Sequence, residues 1–213
     1  MLLNKEDNMK SETDKEQLIL KAAEEEFLEK GYNGAKTTSI AQKAGVTHAM
    51  LHYYYRTKEK LFELVFRNKV RLIADSLKYI LDENNNFEDA IANFIHVHFE
   101  FLKKNPRLVN FVYNEVYSNK ENLDILHRSI FPIIQEVLNK LNSLIETEVK
   151  KGTIKPVNPL QLILNILSVN IMTFIFYPIM IQYSENKSSA YYKQMLKERE
   201  ESNIQFILNS IRK

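Results

Sequence analysis

A chain of 213 residues, 45% hydrophobic and 26% charged, has the make-up of a globular protein with one large core or two modest ones, which excludes extended disorder. Its formal net charge of +2 excludes no partner by itself, because local distribution decides whether a polyanion is bound. The absence of cysteine excludes a disulfide framework, a thiol nucleophile and a thiolate metal site, and makes the cytoplasm the expected compartment.

Residues 1–14 mix both charge signs, lack the apolar stretch of a secretory signal and read as a disordered tail. With only 4 glycines and 5 prolines between long stretches of helical periodicity, the expected fold is all-α, with about nine helices. A first helix is predicted from about Lys15 to Lys30, with Leu18, Ala22, Phe27 and Leu28 inward and Gly31 as its stop. Two short helices follow, Thr37 to Ala44 and His48 to Tyr55, parted by Gly45, with Thr47 as N-cap of the second. A fourth begins near Lys58 with Leu61, Leu64, Val65, Leu72, Ile73, Leu77 and Ile80 inward, and continues to about residue 82 as a connector.

After the polar break Asn84, Asn85 and Asn86, the residues Phe87, Ile91, Phe94, Ile95, His98 and Leu102 form the inward stripe of a fifth helix ending at Asn105-Pro106. Helical stretches are then predicted from Leu108 to Tyr117 and from Asn122 to Lys150, where Pro132 can kink or restart the helix. Gly152 and Pro156 mark a loop. Pro159 opens an apolar helix reaching Tyr183, and an amphipathic helix from about Ser188 to Arg212 closes the chain.

Thr37 to Tyr55 has the residues a helix-turn-helix needs: Ala41 where the helices cross, Gly45 in the turn, and Leu51 with Ile40, Ala44, Val46 and Tyr54 to fix the crossing. The competing reading is a plain helical corner. From Lys36 to Lys60 the basic residues Lys36, Lys43, Arg56, Lys58 and Lys60 face Glu59 alone, so the near-neutral total hides a basic patch on the motif. In such a motif Thr47, His48, Ala49, Met50 and His52 are placed to meet base edges in the major groove. Lys36, Thr37, Thr38, Tyr53 and Lys58 are suited to phosphates.

The segments AAEEEFLEKGYNGA, IAQKAGVT and LHYYYRTKEKLF resemble the TetR family of bacterial regulators over about Glu16 to Val65. His52 departs from the tyrosine that typically touches DNA, Tyr55 from a packing phenylalanine, and Lys36 from a helix-capping threonine. The resemblance implies a DNA-binding domain over residues 15–62 and, over 63–213, a larger helical domain for effector binding and dimerisation. It implies a homodimer joined through the last two helices, a double-stranded palindromic operator, and a small-molecule effector that releases the repressor from it. Phe206, Ile207, Ile211, Met195 and Ile204 give the last helix an apolar face for that pairing.

The effector is expected to be hydrophobic or aromatic, because the middle of the chain is rich in rings with a few polar groups among them. The candidate contacts are Phe94, His98, Phe101, Asn114, Tyr117, Asn170, Phe174 and Tyr177; a core histidine bonded to a neighbour is the competing reading of His98. His96 and His98 project about 200 degrees apart on a helix and do not grip one ion, so no metal is expected. With no nucleophile motif and no phosphate-binding glycine loop, neither a cofactor nor catalysis is expected.

Val157 to Tyr183 carries no charge and is long enough for a bilayer, yet Gln161, Asn165, Ser168, Asn170 and Thr173 favour a helix buried in the core and a subunit interface. The rivals are therefore a helical small-molecule-binding protein and a membrane-associated one, neither binding DNA.

Overall fold

The computed structural model describes residues 3–78, 86–183 and 188–213. Nine helices, and no strand, occur among them: α1 (Leu3–Gly34), α2 (Thr37–Lys43), α3 (His48–Tyr54), α4 (Lys58–Lys78), α5 (Phe87–Lys104), α6 (Leu108–Ser118), α7 (Lys120–Lys151), α8 (Pro159–Tyr183) and α9 (Ser189–Ile211). They form two compact units, one comprising the chain up to Val70 with Asn110–Leu126, the other Arg71–Val109 with His127–Lys213. The second unit thus begins inside α4, and α6 belongs almost wholly to the first.

In the first unit α1 begins at Leu3 rather than near Lys15, over the segment read as a tail. That segment has no helix breaker, so a helix anchored further on can propagate back into it. Gly31, at φ 66°, breaks α1 where expected. The inward stripe differs from the predicted one: Leu18 is exposed, and Ile19, Ala22, Ala23, Glu26 and Phe27 are buried. Its spacing is helical, but a glutamate sits in its middle, which hides it from a reading based on hydrophobicity.

A similar shift occurs in α4. Leu61, Phe62, Val65, Phe66 and Val70 are buried, while Leu64 and Leu72 turn outward. Phe62 meets Phe27 edge-on at 5.1 Å and lies 6.0 Å from Phe111 of α6, which also lies 6.0 Å from Phe66. The first unit therefore has an aromatic core drawn from α1, α4 and α6. Ile80, Asn84 and Asn85 lie outside the described residues, as does the side chain of Leu77.

The second unit is built on α5, α8 and α9, which pack against one another. The full predicted stripe of α5, Phe87, Ile91, Phe94, Ile95, His98 and Leu102, is buried. Asn86 caps α5 by accepting from the Asp89 N–H at 2.9 Å. The α7 helix continues through Pro132, whose exposed position leaves the freed carbonyl open to water. The Arg212 guanidinium donates to both carboxylate oxygens of Glu88, at 2.9 and 2.6 Å, tying the end of α9 to the start of α5.

The stretch Pro159–Phe176 of α8 is long and apolar enough to cross a membrane, but it is one of the three packed helices, with 28% of it buried. Leu162, Ile163, Ile166, Asn170 and Phe174 face the core, whereas Leu160, Leu164, Met172, Phe176 and Ile179 face out. The burial of α8 on nearly all sides is thus not met within one chain. On α9, Ile207 and Ile211 belong to the core of the unit and Phe206 is exposed.

Candidate nucleic-acid interface

Gly45, at φ 66°, adopts the left-handed conformation that ends α2, and a Cβ there would meet no atom within 4 Å, so backbone conformation alone calls for glycine. Val46 N–H donates to the Ala41 carbonyl at 3.0 Å and Gly45 N–H to that of Gln42 at 3.1 Å. This double closure satisfies the end carbonyls of α2 and turns the chain into α3. Thr47 caps α3, its Oγ1 accepting from Met50 N–H at 3.2 Å. Ile40, Ala41, Ala44 and Leu51 are buried at the crossing, and Tyr55 is buried beside them at the end of α3.

The first short helix, α2, is fastened to α1 by charge as well as by packing. Glu26 of α1 is fully buried and accepts from Lys30 Nζ at 2.8 Å and Ser39 Oγ at 3.0 Å, with Lys43 Nζ at 2.8 Å. Burial alone would raise its pKa, but the bonds from Lys30, Lys43 and Ser39 outweigh that and hold it down at about 2. The folded value lies below the ordinary 4.5, so Glu26 contributes its full stability above about 4.5 and loses it as pH falls toward 2. Glu26→Gln is expected to lower the stability of the first unit by about 1–3 kcal/mol near pH 7 and to flatten this acid limb, as measured by urea titrations between pH 2 and 7. An unchanged acid limb would exclude Glu26 as its source.

This clamp ties up Lys43, which also lies 3.5 Å from Glu29. Of the five basic residues in the Lys36–Lys60 window, Lys36, Arg56, Lys58 and Lys60 have no ion-pair partner among the described residues. The basic patch is therefore smaller than the sequence count and concentrated at the two ends of the motif.

Thr47, His48, Ala49, His52 and Tyr53 are exposed on α3 and Met50 is half-buried. On the α2 side Lys36 and Thr38 are exposed and Thr37 is half-buried. Lys36 occupies the N-cap of α2 without a side-chain cap bond. Thr37 Oγ1 lies 2.9 Å from His48 Nε2, and the rings of His48 and His52 meet edge-on at 4.4 Å, with His52 Nδ1 3.3 Å from the Arg56 carbonyl. The first turns of α2 and α3 thus share a bond, and Nε2 of His48 points at Thr37.

At the far end Lys58 Nζ lies 4.6 Å from the centroid of the Tyr32 ring, whose hydroxyl donates to Glu59 at 2.6 Å. That bond to the Glu59 carboxylate, with burial, pushes the Tyr32 pKa up to about 12. Tyr32 N–H donates to buried Glu115 of α6 at 2.8 Å. Neither Tyr32 nor Glu26 stood among the predicted site residues. Tyr32 had a local signal in the Gly31 break before it, while nothing local distinguishes Glu26 from Glu24, Glu25 and Glu29.

The predicted effector residues separate. Phe94, His98, Asn170 and Phe174 are buried in the second unit, with Phe94 and His98 rings 6.1 Å apart and Phe174 against Phe99 at 5.0 Å. Asn170 Nδ2 donates to His98 Nδ1 at 3.1 Å and to the Ile95 carbonyl at 3.0 Å, and its Oδ1 accepts from Asn203 Nδ2 at 3.0 Å. His98 is therefore a core histidine bonded to a neighbour. Phe101 is half-buried and lines a groove of about 590 Å³ together with Leu72, Ser76, Val97 and Lys104. Asn114 and Tyr117 are exposed on α6, in the first unit. The Tyr177 side chain lies outside the described residues. His96 is exposed and bonded to Glu200, apart from His98.

Two short helices crossing on Ala41 and Leu51, the second capped by Thr47, with cations at the ends of the motif that have no ion pair among the described residues, form a helix-turn-helix of the kind that transcriptional regulators use. Residues 19–65 match the bacterial regulatory proteins of the tetR family. The chain is 26% identical to the fatty acid metabolism regulator protein of Bacillus subtilis (strain 168), over 69% of this chain and 74% of that one. It is likewise 26% identical to the HTH-type transcriptional regulator RutR of Escherichia coli (strain K12), over 70% and 68% of the two chains. A TetR transcriptional regulator from Chloroflexus aurantiacus J-10-FL shares the fold, with a TM-score of 0.67 at 17% identity over 95% of this chain and 98% of the other. Over residues 19–65 the chain is thus similar to the tetR family, and beyond them it is similar in sequence and fold to transcriptional regulators of that kind.

Proposed function

We propose that the protein is a homodimeric, ligand-responsive repressor whose two α3 helices enter adjacent major grooves of a palindromic operator in the cytoplasm, performing no chemistry. The observation that carries this reading is the exposed start of α3 between cations that have no ion pair among the described residues. Thr47, His48, Ala49, Met50 and His52 face the bases, while Lys36, Thr37, Thr38, Tyr53 and Lys58 hold phosphates. The DNA-binding domain is residues 15–62, and 63–213 bind the effector and dimerise.

Dimerisation through α8 and α9 is supported by the apolar face that α8 turns outward and by exposed Phe206. The effector is hydrophobic or aromatic, which fits the fatty acid metabolism named for the Bacillus subtilis relative. Its place is the second unit beside Phe101, where the groove of about 590 Å³ lies within the usual size of a ligand site, with Phe94, His98, Asn170 and Phe174 in the same unit. Binding there favours a conformer with wrongly spaced reading heads and lowers operator affinity through its preference for one of two states.

The test is selection of operator fragments from random duplexes, followed by titration at several salt concentrations. Affinity is expected to fall steeply with salt, Lys58→Ala to weaken binding to all DNA and reduce the log–log salt slope by about 0.9, and His48→Ala to change the preferred sequence at a cost of about 1–3 kcal/mol. Salt-independent binding, or equal losses on specific and random duplexes for both variants, would sink the reading.

A further inference from the structure

We infer that Tyr32 is a positioning residue for the DNA contact made by Lys58, carrying the lysine ammonium on its ring while its hydroxyl keeps the Glu59 carboxylate occupied. This rests on the reading of Lys58 as a phosphate contact.

A lysine next in sequence to a glutamate at the first turn of a helix has a competing anion close by. Here the two are drawn to different parts of one side chain, Glu59 to the phenol oxygen at 2.6 Å and Lys58 to the ring face at 4.6 Å. The distinction matters for DNA. A carboxylate partner would neutralise the ammonium and have to be displaced by phosphate, whereas a ring face holds the cation by its quadrupole and leaves the charge in place. Holding the side chain in advance also removes part of the rotamer entropy that binding would otherwise cost.

Tyr32 is itself fixed on three sides. Its ring packs edge-on against Phe62 at 4.9 Å, its N–H is held by the Glu115 carboxylate at 2.8 Å, and Gly31 before it supplies the turn at φ 66°. Lys58 has no ion pair among the described residues; its ammonium rests on the ring, and it acts on the Glu59 carboxylate only as the smallest cause of that group's lowered pKa, well behind the Tyr32 hydroxyl. The hydroxyl bond is also the largest cause of the lowered pKa of Glu59.

The experiment measures operator affinity at several salt concentrations for Tyr32→Leu and Tyr32→Phe, each alone and combined with Lys58→Ala, together with the melting temperature of every variant. Tyr32→Leu is expected to weaken binding about two- to fivefold in the native background and to have no further effect once Lys58 is alanine. Tyr32→Phe keeps the ring and releases Glu59, and its smaller loss is expected to be restored by adding Glu59→Gln. An equal loss from Tyr32→Leu with and without Lys58 would overturn the inference, as would failure of Glu59→Gln to rescue Tyr32→Phe. Should Lys58→Ala alone leave affinity and salt slope unchanged, the phosphate-contact reading fails first.

Discussion

Leu51→Ala is expected to lower the stability of the first unit by about 2–5 kcal/mol and to abolish specific operator binding at concentrations where the native protein is saturated. Leu51 is fully buried, and it is the α3 residue whose carbonyl receives the Tyr55 N–H at 2.8 Å, so truncation opens a cavity at the crossing that sets the direction of α3. Urea unfolding and DNA titration check the two parts. Leu51→Met preserves volume and is expected to cost less than about 1.5 kcal/mol with binding retained. The control is Ala49→Ser, at an exposed position of the same helix, with stability within about 0.5 kcal/mol of the native protein. Full operator affinity in Leu51→Ala would show that the crossing does not orient the reading head.

The second large effect is expected in the other unit. Asn170→Leu removes the amide that joins His98, the Ile95 carbonyl and Asn203, all of them bonded to Asn170 in the interior. Leaving buried partners unsatisfied is expected to cost about 2–4 kcal/mol, more than the gain from a larger apolar side chain. His98 adds a pH dependence, since burial pushes its pKa from the ordinary 6.5 down to about 4. The unfolded chain then takes up a proton that the fold refuses, so this contribution is full above 6.5 and is lost as pH falls toward 4. His98→Gln is expected to remove that limb. Circular dichroism melts of both variants between pH 4 and 8 decide it, and an unaltered Asn170→Leu melting temperature would mean that the network contributes nothing.

Where the required information lies within a few residues, the chain could be read directly. Gly45 follows α2, Thr47 precedes α3, Asn86 and Ser188 precede α5 and α9, and each acts through its own backbone conformation or a bond to the next turn. The stripe of α5 was legible too, because its positions are apolar with His98 as the only polar member.

Long-range polar contacts escaped that reading. Glu26, Tyr32 and Glu115 look on their own like surface residues, and they act through partners such as Ser39, Glu59 and Tyr32 that are distant in sequence. Lys43 was counted with the basic patch until the structure showed it paired with Glu26. Leu64 and Leu72 were assigned inward because apolar spacing reveals a face but not which of two adjoining faces meets a neighbour, and Phe62 and Phe66 took that place.

By itself, then, the sequence determined the helices, the turn of the motif and the residues at its crossing, because backbone conformation and helical periodicity are local. Only the tertiary structure decided which cations stay free, which ring holds Lys58 and which polar groups are sealed in the core, because charge and burial depend on neighbours brought together by folding.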